Sequence, residues 1–417
     1  MTLTMIRGVA VALGVSAAIG VAPIQAQETP RGQTVTERQR PDLDPLGMHA
    51  ASFLVFPKFS LGESYNDNIF ATTGNRKDDF ITTLSPELRA QSDWNRHFLA
   101  FEARGDIGRY ATNSSEDFED ATISANGRVD IVRDAFVSGG ATLNKFHEDR
   151  GSPDEVNGKF PTEYMVFSPT VGAANRWNRF SLRGDATLQR YMYDNAVTST
   201  GSSINNKDRD RSQYTVSLRG GYEIVPEYEA FVRVAYNTVD YSSAVDDNGF
   251  NRDSDGYEAV VGTRIDLSGV TYGDVFAGYR RQMYDDARLR TVNGPTFGGA
   301  ITWNVTSLTT AKGSIVRTVE ESTLSNASGF FATDFRASVD HELLRNLLIG
   351  ATVGYLVDDY EGISREDDYY KAGAYARYLM NRNLYLTARY DYERRASDAV
   401  GADYDKNIFM LRLETQL

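Results

Sequence analysis

From about Phe53 to Leu417, apolar and polar side chains alternate at every second position. That is the spacing of a β-strand with one apolar and one polar face, because successive side chains leave a strand on opposite sides. In one run Leu384, Leu386, Ala388, Tyr390 and Tyr392 share a face, with Tyr385, Thr387, Arg389 and Asp391 on the other. In a second, Leu99, Phe101, Ala103, Gly105 and Ile107 oppose Glu102, Arg104 and Asp106. A third sets Phe180, Leu182, Gly184, Ala186 and Leu188 against Ser181, Arg183, Asp185, Thr187 and Gln189. Helical periodicity is nowhere comparably strong.

The connectors alternate as well. Short turns are predicted at Trp94-Asn95, Arg133-Asp134, Arg176-Trp177-Asn178 and Val225-Pro226. Four more fall at Ser268-Gly269, Thr306-Ser307, Leu344-Arg345 and Asn381-Arg382-Asn383. Between them lie polar loops near 66–78, 111–119, 147–161, 194–211, 242–255, 285–293, 321–329, 360–367 and 396–406. Eight short turns and nine long loops delimit about eighteen strands, and boundaries drawn from sequence allow 16–20. A soluble propeller or sandwich mixes its connector lengths and fills an apolar core. A transmembrane barrel has short periplasmic turns and long outer loops in alternation, as here. Its strands need about 9–11 residues to cross the bilayer, and the sheet must close so that every backbone group in lipid is paired. The predicted fold is an all-β, antiparallel transmembrane β-barrel over residues 52–417, with no second domain.

The chain ahead of the barrel reads differently. Residues 1–26 carry Arg7, an apolar stretch from Gly8 to Ala22 and a closing Ala26, the layout of a cleaved signal peptide. Residues 27–51 are polar, contain Pro30, Pro41 and Pro45, and are predicted to be a poorly ordered periplasmic segment. An exported chain with a barrel pattern is expected in the cell outer membrane.

The polar face carries charge in the middle of strands. The candidate lumen-facing residues are Glu87, Arg89, Glu102, Arg104 and Asp106 in the first third. Arg183, Asp185, Arg219, Arg233, Arg264, Asp266, Arg280, Arg389 and Asp391 continue the series. Against lipid an Arg at the midplane costs roughly 2–4 kcal/mol, whereas in a wet lumen it costs little. The interspersed signs are expected to pair across strands. They either form a hydrogen-bonding channel wall or fill and rigidify the interior. Aromatic residues near strand ends are candidates for membrane-interface girdles, where an apolar ring with a polar tip is at home. Tyr65, Tyr110, Tyr193, Tyr241, Tyr284 and Tyr360 flank long loops, and Trp94, Trp177 and Phe180 flank short turns.

Composition narrows the chemistry. With 44 Lys+Arg against 57 Asp+Glu, the net charge of −13 opposes nucleic-acid binding. No Cys excludes thiolate sites and disulfides, and the four His have no partners by spacing. No nucleophile elbow, phosphate loop or zinc-binding helix motif occurs, so no enzyme activity, cofactor or metal is expected. Residues 251–256, NRDSDG, resemble the start of a calcium loop, but the twelfth position is Gly262 rather than the required Glu. Acidic loop runs such as 116–120 and 366–368 read as solvated, with a capacity to hold divalent ions that bridge lipopolysaccharide.

Specific stretches resemble a known family. Tyr65-Asn66-Asp67-Asn68-Ile69-Phe70, Asp79-Phe80-Ile81-Thr82-Thr83-Leu84-Ser85-Pro86 and Asn113-Ser114-Ser115-Glu116-Asp117 resemble the outer-membrane beta-barrel porin 2 family of Gram-negative bacteria. The lead-in Pro41-Asp42-Leu43-Asp44-Pro45-Leu46-Gly47 is similar to that family too. The resemblance implies an 18-stranded outer-membrane channel associated with exopolysaccharide or capsule export. Outer-membrane lipid, lipopolysaccharide and periplasmic or lipoprotein components of the export system are the partners it implies. A general diffusion porin for small solutes and a structural or adhesive surface protein are the alternatives. One departure is Leu417, where such barrels usually end in an aromatic residue.

Overall fold

The computed structural model describes residues 32–267 and 269–417. The predicted signal peptide, positions 27–31 and Ser268 of a predicted turn lie outside the described residues.

The alternating segments form long strands of 13 to 16 residues. The first seven are β1 (Phe53–Asn66), β2 (Asp79–Ser92), β3 (Phe98–Tyr110), β4 (Phe118–Val132), β5 (Ala135–His147), β6 (Glu163–Trp177) and β7 (Phe180–Tyr193). Six more are β8 (Arg211–Val225), β9 (Tyr228–Tyr241), β10 (Ser254–Leu267), β11 (Thr271–Tyr284), β12 (Val292–Thr306) and β13 (Thr309–Glu321). The last are β14 (Gly329–Leu344), β15 (Leu347–Glu361), β16 (Glu366–Asn381), β17 (Leu384–Ser397) and β18 (Tyr404–Gln416). Each pairs antiparallel with its sequence neighbours, and β18 pairs with β1, from Lys58 opposite Gln416 to Asn66 opposite Ile408. The result is a closed 18-strand antiparallel barrel, the predicted architecture and strand number. Closure leaves no sheet edge, the condition a spanning sheet must meet.

Short turns and long loops alternate around it, as the sequence pattern predicts. The turn residues show how the chain reverses in two positions. Pro226 is followed by Glu227 at φ +75°, and Asp134 and Asn178 also take positive φ, at 65° and 55°. Bulges beside five of the short turns, such as Glu223/Val225 and Asn304/Thr306, absorb the extra residue.

The outward face is apolar. Ile123, Val171, Val216, Val261 and Leu411 all stand more than half exposed there, the signature of a surface built for lipid rather than water. No described helix is long and apolar enough to cross a membrane, and the crossing is made by strands.

Residues 32–50 differ from the poorly ordered segment predicted. They form a strap along the inside of the short-turn rim. Asn304 Nδ2 donates to the Gly32 carbonyl, Val35 N donates to Thr310 Oγ1 at 2.9 Å, and Tyr385 Oη donates to the Leu43 carbonyl at 2.6 Å. Arg40 is buried and ion-paired with Glu342 at 2.6 Å. Met48–Ala50 then pair antiparallel with the start of β1. Polarity and proline content predict disorder because they bury little apolar surface, but here rim side chains supply the missing partners.

Candidate channel lumen

Register assigns every strand residue to a face. Lys58 lies opposite Glu87, Arg89 opposite Glu102, and Glu87 opposite Arg104. Arg183, Arg219 and Arg233 share one row, Arg264 lies opposite Glu229, and Arg280 opposite Glu258. Asp106, Asp185, Asp266, Arg389 and Asp391 follow by the period of two within β3, β7, β10 and β17. All the charged residues predicted for the lumen therefore fall on the inward face.

Their pairing differs in part from the expectation. Cross-strand pairs do occur, as in Lys58–Glu87 at 3.4 Å, Arg233–Glu258 at 2.9 Å and Arg377–Glu414 at 2.8 Å. The recurrent unit, however, is an Arg and an Asp two positions apart on one strand. Arg104–Asp106, Arg183–Asp185 and Arg389–Asp391 pair at 2.9, 2.8 and 2.5 Å, and Arg128–Asp130 repeats the arrangement. A long guanidinium reaches along its own strand to a short carboxylate on the same face, and the neighbouring strand makes room for that carboxylate with Gly172 at Asp185 and Gly373 at Asp391. Sequence reasoning could have found this unit, since the Arg-Xaa-Asp spacing is written in the chain.

The aromatic predictions divide. Tyr65, Trp94, Trp177 and Phe180 stand on the outward side, and the last three are exposed. Tyr110, Tyr193, Tyr241, Tyr284 and Tyr360 do not. Each shares the inward face with the charged rows, and Tyr193, Tyr241 and Tyr360 are buried there. The physical reason is packing at the long-loop end: Arg209 lies over the Tyr193 ring, Glu321 accepts from the Tyr241 hydroxyl, and Leu324 and Ile363 pack on the cluster around Tyr360. Proximity to a loop does not set the face; parity along the strand does.

The outward aromatics near the long loops follow one rule, and sequence reasoning missed Tyr236, Tyr355 and Tyr390 among them. Tyr236 pairs with Tyr257 and its hydroxyl donates to Asp255 at 2.6 Å. Tyr355 pairs with Tyr370 and donates to Asp368 at 2.6 Å. Tyr390 pairs with Phe409 and donates to Asn407 at 2.8 Å, and Tyr65 pairs with Phe80 and donates to Asp78 at 3.2 Å. In each case the acceptor sits two residues before the partner ring, on the loop side, so the polar tip is drawn toward the long-loop end.

The long loops narrow the other mouth. Above Gly298 and Val316 the ladder between β12 and β13 stops. The tip of the β13–β14 hairpin turns inward there, and its Val319 and Phe331 pack on Val292 and Tyr284 of the inner wall. Arg252 holds this tip. Its guanidinium is buried, pairs with Asp246 at 2.6 Å, and donates to the carbonyls of Ser322, Ala327 (2.8 Å) and Leu324 (3.0 Å). Arg209 pairs with Glu148 and lies over the Tyr193 ring, and Arg150 bridges Glu116 and Glu155 at 2.7 and 2.8 Å. The acidic run at 116–120 is thus not wholly solvated, since Glu116 is buried in an ion pair. Burial pushes the loop carboxyls of Glu155 and Asp208 above their ordinary range. The hydrogen bonds from Arg288 hold Asp286 below it. Among the described residues no group of three or more acidic or His side chains is arranged to hold a metal ion.

The arrangement is a polar, charge-lined passage inside an apolar cylinder, narrowed by the strap at one end and by loops at the other. Solved structures of similar fold include two Pseudomonas aeruginosa outer-membrane proteins. OpdK, crystallised with vanillate, is 11% identical over 87% of this chain and 99% of its own, with a TM-score of 0.44. OccK2 (OpdF) is 10% identical over 87% and 98%, with a TM-score of 0.46. A mutant of the ferric enterobactin receptor PfeA from the same organism is 8% identical over 87% and 80%, with a TM-score of 0.43. No curated protein matches the chain. The family model described as "Putative beta-barrel porin 2" matches residues 40–417, so the whole barrel and the end of the strap are covered by one family. The chain belongs to that family, the beta-barrel porins of the outer membrane.

Proposed function

We propose that this porin is an exopolysaccharide export channel, carrying a hydrophilic polymer outward across the outer membrane. The observation that supports this reading is the inward face itself. Its Arg and Asp side chains are neutralised by partners two residues away, as in Arg104–Asp106 and Arg389–Asp391. Such a wall offers many hydrogen bonds to hydroxyl groups without a deep trap, which suits a polymer that must slide. Periplasmic or lipoprotein components of an export system are the partners this role needs.

A second reading, diffusion of small solutes, is favoured by the strap and the inward hairpin, which narrow both mouths. Deletion of the gene with assay of secreted polysaccharide separates the two. The export reading predicts loss of surface polymer with unchanged uptake of small solutes. Intact polymer secretion with impaired solute uptake would overturn it in favour of the diffusion porin.

A further inference from the structure

The geometry points to a binding site for acidic polysaccharide, a chain with repeated carboxylates, on the lumen wall formed by β7, β8 and β9. This deepens the export reading by naming its substrate class and a subsite. Arg219 lies directly opposite Arg183 on one side and directly opposite Arg233 on the other. Directly opposed side chains are about 5 Å apart, so three guanidiniums stand in a row on consecutive strands. Like charges placed opposite one another destabilise a sheet. The inward face carries Ser, Thr and Gly at other positions, so nothing in the fold demands this row.

Each guanidinium is held by a carboxylate that lies off the row. Arg183 pairs with Asp185 at 2.8 Å, Arg219 with Glu229 at 2.7 Å, and Arg233 with Glu258 at 2.9 Å. A guanidinium has five donors, and one carboxylate occupies only part of that fork. The three side chains remain 26%, 18% and 30% exposed, so the rest of each fork is open to the lumen. Arg264, inward-facing and opposite Glu229 and Asp274, adds a fourth cation beside them.

The row is rigidly mounted. Arg219 stacks over the Phe231 ring at 4.1 Å and Arg233 over the Phe276 ring at 4.5 Å. Those rings lie in a second row, in which Gly221, Phe231, Gly262, Phe276 and Gly298 face one another across five strands. A Cβ at Gly262 would come within 2.5 Å of Phe231 Cζ. Glycine at that position leaves room for the Phe231 ring, and the two rings brace the guanidiniums of Arg219 and Arg233 from one side. A planar, stacked guanidinium is a carboxylate binder that a lysine does not replace in full. A row at strand spacing fits a ligand with repeated anionic groups, and a neutral sugar chain gains only ordinary hydrogen bonds from it.

The test is calorimetric titration of the full-length, detergent-solubilised protein with an oligogalacturonate and with a neutral malto-oligosaccharide of equal length. The expected result is binding of the acidic oligomer alone, weakening as salt is raised. The double variant R219Q/R233Q is expected to lose affinity tenfold or more, and R219K/R233K to retain part of it. Should R219Q/R233Q fail to form a heat-modifiable barrel, the single variant R183Q supplies the same comparison. Equal affinity for both oligomers, or a folded glutamine variant with unchanged affinity, overturns the site. Binding in detergent does not depend on passage. Retained binding in a protein whose deletion leaves polymer secretion intact would therefore refute the export role and leave the site standing.

Discussion

Arg252 is the residue on which the long-loop mouth depends most. Its buried guanidinium is ion-paired with Asp246 and its remaining donors close on three backbone carbonyls of residues 322–327. Removing one partner of a buried pair typically costs about 3–5 kcal/mol, because the other charge is stranded. Arg252→Ala is therefore expected to release the hairpin tip, lower the thermal stability of the barrel and raise its conductance; an unchanged conductance would mean that the tip does not obstruct the passage. The buried loop carboxyls set a pH dependence. Glu155 and Asp208 titrate higher in the folded loops than in the unfolded chain, so the folded form binds more protons in that window. Their penalty is absent below the unfolded value and complete above the folded one. Amide exchange in residues 148–162 and 205–210, corrected for intrinsic rate, should accordingly slow as pH falls from neutrality toward the ordinary carboxylate range. Faster exchange at the acidic end would reverse the sign. Asp286, shifted the other way, keeps its bonds to Arg288 through the same range.

At the scale of strands, facing is what the sequence makes legible. The period of two puts the predicted lumen charges of each strand on one face, the face opposite the exposed apolar residues, because a one-residue slip would move an entire strand's charges to the other side. Facing is directly testable in β10. Val261 points outward at mid-strand, so Val261→Arg should destabilise the protein by about 2–4 kcal/mol in a bilayer. Denaturant titration in phosphatidylcholine vesicles measures this, and a cost near zero would mean that Val261 does not meet lipid. The inward tyrosines show where legibility ends. Tyr193, Tyr241 and Tyr360 lie at strand ends like true girdle residues, but they are buried by groups from beyond their own strands, among them Arg209 at Tyr193, Glu321 at Tyr241 and Leu324 near Tyr360. Nothing local to a strand encodes such neighbours. The Tyr-to-Asp or Tyr-to-Asn bond across a long-loop hairpin was legible in principle, since its acceptor always precedes the partner ring by two residues.

The whole molecule combines a closed wall with two narrowed ends. Alternating connector lengths made the barrel and its strand number legible, because membrane barrels set short turns at one end against long loops at the other. The strap was not legible. Its contacts join Gly32 to Asn304, Val35 to Thr310 and Leu43 to Tyr385, more than 260 positions away in each case. Polarity and two prolines describe the segment well enough, but they say nothing of a rim that offers it hydrogen bonds. Since the strap is tied mostly by polar contacts to rim side chains, deleting residues 32–47 should leave the barrel folded and widen the passage. Planar-bilayer recording of the refolded protein, with and without residues 32–47, is the most direct test of the claim that this chain forms a water-filled outer-membrane pore. We predict discrete ion-conducting steps from the full chain and larger steps after the deletion. A correctly folded barrel that conducts in neither form, even with Arg252→Ala added, would contradict the account.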